Sequence, residues 1–363
     1  MTSIKRLALW VSASLLLLST LGTTPVHAQA VQLSQTEQIH ALAKVWGFLK
    51  YYHPNVANGG QAWDETLLRW LTQEKDLSTP SDLSTFLTQE IAMLGRIPIC
   101  KRCAEPSKQE VFGQNFDLSW TQEERWFSAA LRTQLRFIEA NRFHGKFYYA
   151  KPGYAKQVTF THEPGYEASR WSEAPFRLLQ LIKFWTAVEY FYPHKYLMER
   201  PWAEVLPAMI PRFLTASTEL EFHLLLRELT VSLNDSHTAF SSDVLVAYFG
   251  ERQLPFGYAR VEGKIVIEEV YNQDLAALAG YQVGDVILEF EGQTPEARFA
   301  AQRHLYAGSN EPKEWDYARI GLLRTQAEVV DLKLERAGEV HTLSVATYTH
   351  DEIHLTYSTQ DLW

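Results

Sequence analysis

The chain has 363 residues, 46% of them hydrophobic, and a formal net charge of −9. That apolar content is enough for a sizeable core and argues against wholesale disorder, and the length allows two or three domains. The negative balance, with no basic stripe to offset it, argues against nucleic acid as a partner, because a phosphate backbone needs a cationic footprint.

In chain order, Lys5 and Arg6 precede an apolar run from Leu7 to Leu18, and Val26-His27-Ala28 offers a small-x-small cleavage pattern before Gln29. This is the layout of a secretory signal peptide over residues 1–28, which makes the mature chain exported, periplasmic or extracellular. The run is short of the ~20 residues a membrane span needs. No cysteine follows it for lipid attachment, and no later segment is long enough to cross a bilayer. No stable membrane span is therefore expected after cleavage.

The next feature is an internal repeat. LAKVWGFLKYYHP, Leu42 to Pro54, aligns without a gap to LIKFWTAVEYFYP, Leu181 to Pro193. Leu42, Lys44, Trp46, Tyr51 and Pro54 recur as Leu181, Lys183, Trp185, Tyr190 and Pro193, and the register continues through Trp63 and Trp202 to Leu94 and Leu233. Two copies of one helical unit are expected, over about 36–95 and 175–234. Each should hold three helices. The first carries apolar residues at three- and four-residue spacing and stops near Pro54 or Pro193. The second lies at Trp63 to Leu71 and at Trp202 to Phe213. The third lies at Ser81 to Leu94 and at Leu220 to Leu233, with Ser81 and Thr218 or Glu219 where N-caps are expected. The shared Trp and Tyr residues read as core packing.

Between the copies, Cys100 and Cys103 in ICKRC are expected to form a local disulfide in an oxidising compartment. The pair alone is half a zinc ligand set, to which His53 or His194 could be added, and a redox role would need a thioredoxin-like βαβ context that the pattern lacks. No metal or cofactor is expected. A helix from Thr121 to Ala140 and a β-rich piece, KFYYAKPGYAKQVTFTH, with Gly153 in its turn, complete the linker.

The second copy ends differently from the first, in VSLNDSHTAF, where His237 follows an Asn-Asp-Ser turn. Such a turn usually ends a helix, its polar side chains bonding the backbone. Asp235 lies two residues from His237 and on an extended chain would point the same way rather than face it.

After Phe249 the pattern becomes mixed. LPFGYARV and KIVIEEV read as strands, followed by a short helix around Leu275 to Ala279, the turn Gly280 to Asp285 and the strand VILEF. Thr294 and Pro295 suit a helix start, and that helix runs through Phe299 and Arg303 to Tyr306. Another helix, Pro312 to Arg324, precedes the strands VVDLKLE and VHTLSVA. The order, with LPFGY and LAALAGYQVGDVILEFEGQTP, resembles a PDZ domain of the bacterial, circularly permuted type over about 251–348. The resemblance implies that a peptide or protein C-terminus adds as a strand at Leu254, Pro255, Phe256, Gly257 and Tyr258, with Phe299 and Arg303 on the neighbouring helix.

Taken together, the signal peptide, the two aromatic-Pro helices, LNDSHT and the PDZ-like module resemble the tricorn-like branch of the S41 serine peptidases, relatives of the C-terminal processing peptidases. The resemblance implies serine-type peptide hydrolysis, with His237 as general base to a serine. In that family the nucleophile and oxyanion hole lie in an α/β domain after the PDZ. With the chain ending at Trp363, residues 349–363 read as the start of a catalytic domain expected to be missing. Ser236, Ser241 and Ser242 are too near His237 in sequence to serve it, and Ser309 lacks a nucleophile-elbow setting. A truncated or split peptidase is thus expected, one that a separately encoded catalytic segment would complete. The alternatives are a non-catalytic peptide-binding or adaptor protein, or a hydrolase with another site. The fold expected is multidomain α+β: a helix-rich region over 31–250 built on a duplicated unit, then a small β-rich PDZ-like domain.

Overall fold

Ser34 opens the first helix with a reciprocal capping box, its hydroxyl accepting from the Glu37 N–H while the Glu37 carboxylate accepts from the Ser34 N–H. The computed structural model describes residues 31–103, 115–154 and 157–356. The expected signal peptide lies outside these residues. Helices run α1 Gln35–Tyr52, α2 Pro54–Ala57, α3 Trp63–Thr72, α4 Pro80–Met93 and α5 Ala129–Ala140. A two-stranded hairpin comes next, β1 Ala150–Pro152 and β2 Val158–Phe160, and then α6 Ala174–Phe191, α7 Trp202–Thr215, α8 Glu219–Val231 and α9 Asp243–Phe249.

The α1 and α6 helices are buried on nearly all sides, so they form the centre of the helical part. Trp46 and Trp63 each donate an indole N–H to the other's backbone carbonyl, at 2.9 and 3.1 Å. Trp185 and Trp202 do the same at 3.1 Å each, with the same 17-residue separation. The two central helices meet where Gly47 faces Thr186. A Cβ on Gly47 would lie 2.7 Å from the Thr186 methyl, so only glycine allows this crossing. One turn on, Tyr51 packs on Tyr190, with ring centroids 5.3 Å apart.

Three boundaries differ from the sequence expectation. The α4 helix is capped by Thr79 rather than Ser81, because Pro80 takes the first helical position. The helix expected from Thr121 starts only at Ala129, where Ser128 caps it; a short 3-10 turn, Ser119–Gln122, comes before. The α9 helix, capped by Ser242, stands where the sequence pattern suggests none.

The remaining strands are β3 Arg252–Gln253, β4 Phe256–Val261, β5 Lys264–Val270, β6 Val286–Phe290, β7 Val329–Arg336, β8 Glu339–Ala346 and β9 Tyr348–Thr349. Strands β4 to β8 form one antiparallel sheet in sequence order, so β4 and β8 are its edges. Helix α10 Gln273–Ala279 joins β5 to β6; α11 Pro295–Gln302 and α12 Glu311–Ala318 join β6 to β7. Ala337 and Gly338, at φ 49° and 85°, make the tight β7–β8 turn. The α11 and α12 helices end earlier than expected, at Gln302 and Ala318. Tyr348 and Thr349 pair with Gln253 and Arg252, and Ile353, in α13 His350–Thr356, is buried.

The architecture is mixed α+β. Buried apolar residues form two clusters, one running from Leu33 to Leu233 and one from Leu254 to Val345. Gly250, at φ 114°, carries the chain between them against the backbone of Thr325, which leaves no room for a Cβ. Among the described residues, no helix is long and apolar enough to cross a membrane.

Candidate functional site

The α8 helix ends at Val231, and Asn234 takes a left-handed conformation, φ 51°. Its side-chain oxygen accepts the Glu199 N–H at 3.0 Å, which pins the turn to the α6–α7 connection. Asp235 then forms an Asx turn: its Oδ1 accepts the backbone N–H of His237 at 2.9 Å. The same oxygen lies 2.9 Å from His237 Nδ1. The expectation that Asp235 would not face His237 is therefore corrected. The backbone is not extended here; the turn folds the carboxylate back onto the ring.

Tyr192 donates its hydroxyl to the other oxygen, Asp235 Oδ2, at 2.9 Å. This residue belongs to the FYP end of the second aromatic-Pro helix, so that motif and the LNDSHT turn meet in space. No motif marks Tyr192, although one signal is present: in the gapless alignment of LAKVWGFLKYYHP with LIKFWTAVEYFYP, His53 stands opposite Tyr192. Partial burial would raise the Asp235 pKa, but the hydrogen bonds from His237 and Tyr192 outweigh it and hold the carboxyl below its ordinary value. Burial first, and then the bond to Asp235, push Tyr192 up to about 12.

A neutral His237 that donates its Nδ1 proton to Asp235 keeps the Nε2 lone pair free to accept one. The side chain is 91% exposed, so Nε2 meets solvent. Asp235 is the one residue to which the His237 imidazole is hydrogen-bonded among those described. Ser242 does bond a histidine, His223, with Oγ 2.8 Å from Nδ1. The same hydroxyl accepts the Leu245 N–H as the cap of α9, which accounts for its position.

No protein-family model matches this chain, and no curated protein matches it. Several solved chains are similar. Mature CPAF shares 15% identity at a TM-score of 0.37, over 48% of this chain and 34% of that one. The photosystem II D1 C-terminal processing protease shares 18% identity at a TM-score of 0.26, over 51% of this chain and 44% of that one. The chain spans less than half the length of either.

The residues expected to bind peptide are divided by the structure. Leu254, Pro255 and Phe256 are buried, Phe256 against the Tyr281 ring at 5.0 Å, and Gly257 and Tyr258 continue the edge strand β4. A groove of about 330 Å³ runs beside them. Its far wall is the segment Arg319 to Arg324 after α12, not α11. Tyr258 ties the two sides together, its hydroxyl donating to the Arg319 carbonyl at 2.7 Å. Phe299 instead stacks on Trp315 in the core, with centroids 3.9 Å apart, and Arg303 pairs with Glu314 at 2.7 Å. Neither lines the groove among the described residues. Helical periodicity places both near α11 but cannot say which helix end closes on the edge strand. Ile320, by contrast, lies in the groove wall and is 67% exposed.

Cys100 and Cys103 are joined in a disulfide, so neither sulfur is presented as a thiolate ligand. His53 is buried and accepts the Asn55 N–H as the cap of α2, and His194 packs edge-on to Tyr192.

Proposed function

We propose that this is an exported peptide-binding protein of serine-peptidase type. An extended peptide would add along the free edge of β4, and His237, oriented by Asp235, would act as the general base. The observation that carries the reading is the groove beside an unpaired antiparallel edge strand. Backbone groups there can bond an added strand, while the exposed Ile320 offers apolar contact for its side chains. The Tyr192–Asp235–His237 chain supports the base, since it sets ring orientation and tautomer together. The signal-peptide pattern supports export. The matching indole clasps, with the Gly47–Thr186 and Tyr51–Tyr190 contacts between aligned positions, support a helical core grown by duplication. The serine and its oxyanion donors would come from a further catalytic segment.

Fluorescence anisotropy with labelled decapeptides tests the groove. Free-carboxylate peptides should bind saturably, and Ile320→Asp should weaken them at least tenfold while leaving the thermal midpoint unchanged. A flat response across a diverse peptide library would dismiss the groove reading. Fluorophosphonate labelling tests the base separately: any labelling reconstituted with the catalytic segment should fall at least a hundredfold in His237→Ala.

A further inference from the structure

A second cavity, of about 310 Å³, lies on the helical part, apart from both the β4 groove and the His237 turn. Trp63, Tyr148, Tyr149 and Tyr166 line it, with His162 stacked on Tyr148 at 3.8 Å between centroids. Asp64 and Glu65, from the first turn of α3, also line it. No lysine or arginine does so among the described residues.

The two carboxylates differ. Asp64 is buried, and its Oδ2 takes both the Tyr166 hydroxyl and the Lys183 ammonium, each at 2.6 Å. Its Oδ1 accepts no hydrogen bond from a described residue. Glu65 is exposed and makes no ion pair with a described residue. Behind the cavity, Lys50 pairs with Glu163 at 2.7 Å, and Lys183 lies 2.7 Å from the same carboxylate. Arg170, 5.6 Å from the Tyr166 ring, is committed to Glu173. Asp64, Glu65 and Glu163 therefore face two ammonium groups, Lys50 and Lys183, leaving one negative charge uncompensated at the rim.

The aromatic rings of this wall already hold cations nearby. Lys50 sits 4.6 Å from the Tyr149 centroid and Lys183 5.3 Å from that of Tyr166. A ring quadrupole attracts a cation at either face, and most strongly where water is displaced. We propose that the cavity binds an organic ammonium group, held over the tyrosine rings, with Glu65 and the free oxygen of Asp64 as its counter-charges. The volume is at the lower end for a small-molecule site and suits a head group of choline or lysine side-chain size.

Choline, followed by tryptophan fluorescence and by thermal midpoint, is the probe, with its neutral isostere 3,3-dimethylbutan-1-ol as control. Choline should give a saturable change and raise the midpoint. The isostere should bind roughly tenfold or more weakly, and Glu65→Gln, on an exposed position, should weaken choline by roughly tenfold without altering the fold. Tyr148→Leu should weaken it further. The proposal is overturned if choline gives no saturable change at tens of millimolar, if the isostere binds equally, or if Glu65→Gln binds choline as well as the parent. Saturation by a neutral oligosaccharide such as maltotriose, in the absence of choline binding, would overturn it in favour of a sugar site.

Discussion

His53 stands opposite Tyr192 when LAKVWGFLKYYHP is aligned with LIKFWTAVEYFYP. Its Nδ1 accepts the Asn55 N–H, so in the neutral ring the proton sits on Nε2, and that atom has no hydrogen-bond partner among the described residues. Burial pushes its pKa down to about 4 and that of His40 down to about 3. In the unfolded chain both take up a proton near pH 6.5. Stability is therefore fully present above that pH and is lost as pH falls toward the folded values, since the unfolded state then binds more protons. His53→Asn, which retains a capping side chain, should show a shallower loss of the urea midpoint between pH 6.5 and 4 than the parent; an unchanged slope would contradict this. At Arg303 the expectation is the reverse of a hot spot. Its ion pair with Glu314 is half exposed, so Arg303→Ala should cost no more than about 1 kcal/mol in urea denaturation and leave peptide affinity unchanged.

At the scale of elements, the reciprocal indole clasp does two things: each tryptophan fills the core, and each adds an indole donor to the other's backbone carbonyl. Trp63→Phe keeps most of the ring but leaves the Trp46 carbonyl without its indole donor in an apolar site. The variant should lose about 1–3 kcal/mol by urea denaturation. Gly47→Ala should also lose about 1–3 kcal/mol, because the new methyl overlaps Thr186. Adding Thr186→Ala should restore part of that loss, and strictly additive effects would show that the two positions do not touch. Arg177 works between elements in another way. Buried, and in no ion pair among the described residues, it donates to the carbonyls of Phe213 and Leu214 at the end of α7 and to those of Trp171 and Ser172. A cation there also suits the negative end of the helix dipole.

For the whole molecule, Arg227 is a polar link from α8 to the sheet-containing part. It donates to the Leu305 carbonyl at 2.6 Å and to that of Phe240 at 3.2 Å, and its guanidinium lies over Phe249 and Tyr317. Burial lowers its pKa. Arg227→Met keeps the packing volume but removes both bonds, leaving the Leu305 carbonyl without this donor. It should destabilise by about 1.5–3 kcal/mol and separate the unfolding of the two clusters into two transitions in guanidinium. A single unshifted transition would show that Gly250 and the α9 contacts hold the parts together without it.

Much of this organisation is legible from local chemistry. Apolar residues at helical spacing mark α1, α6 and α8, alternation marks β7, and Ala337-Gly338 marks its turn, because each depends on neighbours close in sequence. The recurrence of tryptophans and tyrosines in one register is legible in the same way. What only the tertiary structure decided depends on residues far apart in the chain: Tyr192 reaching Asp235, the segment after α12 rather than α11 closing on β4, and Asp64 meeting Lys183 beneath a tyrosine-lined cavity. Periodicity names the face a residue occupies, but the partner across that face is chosen by how elements pack, and spacing along the chain holds no record of that choice.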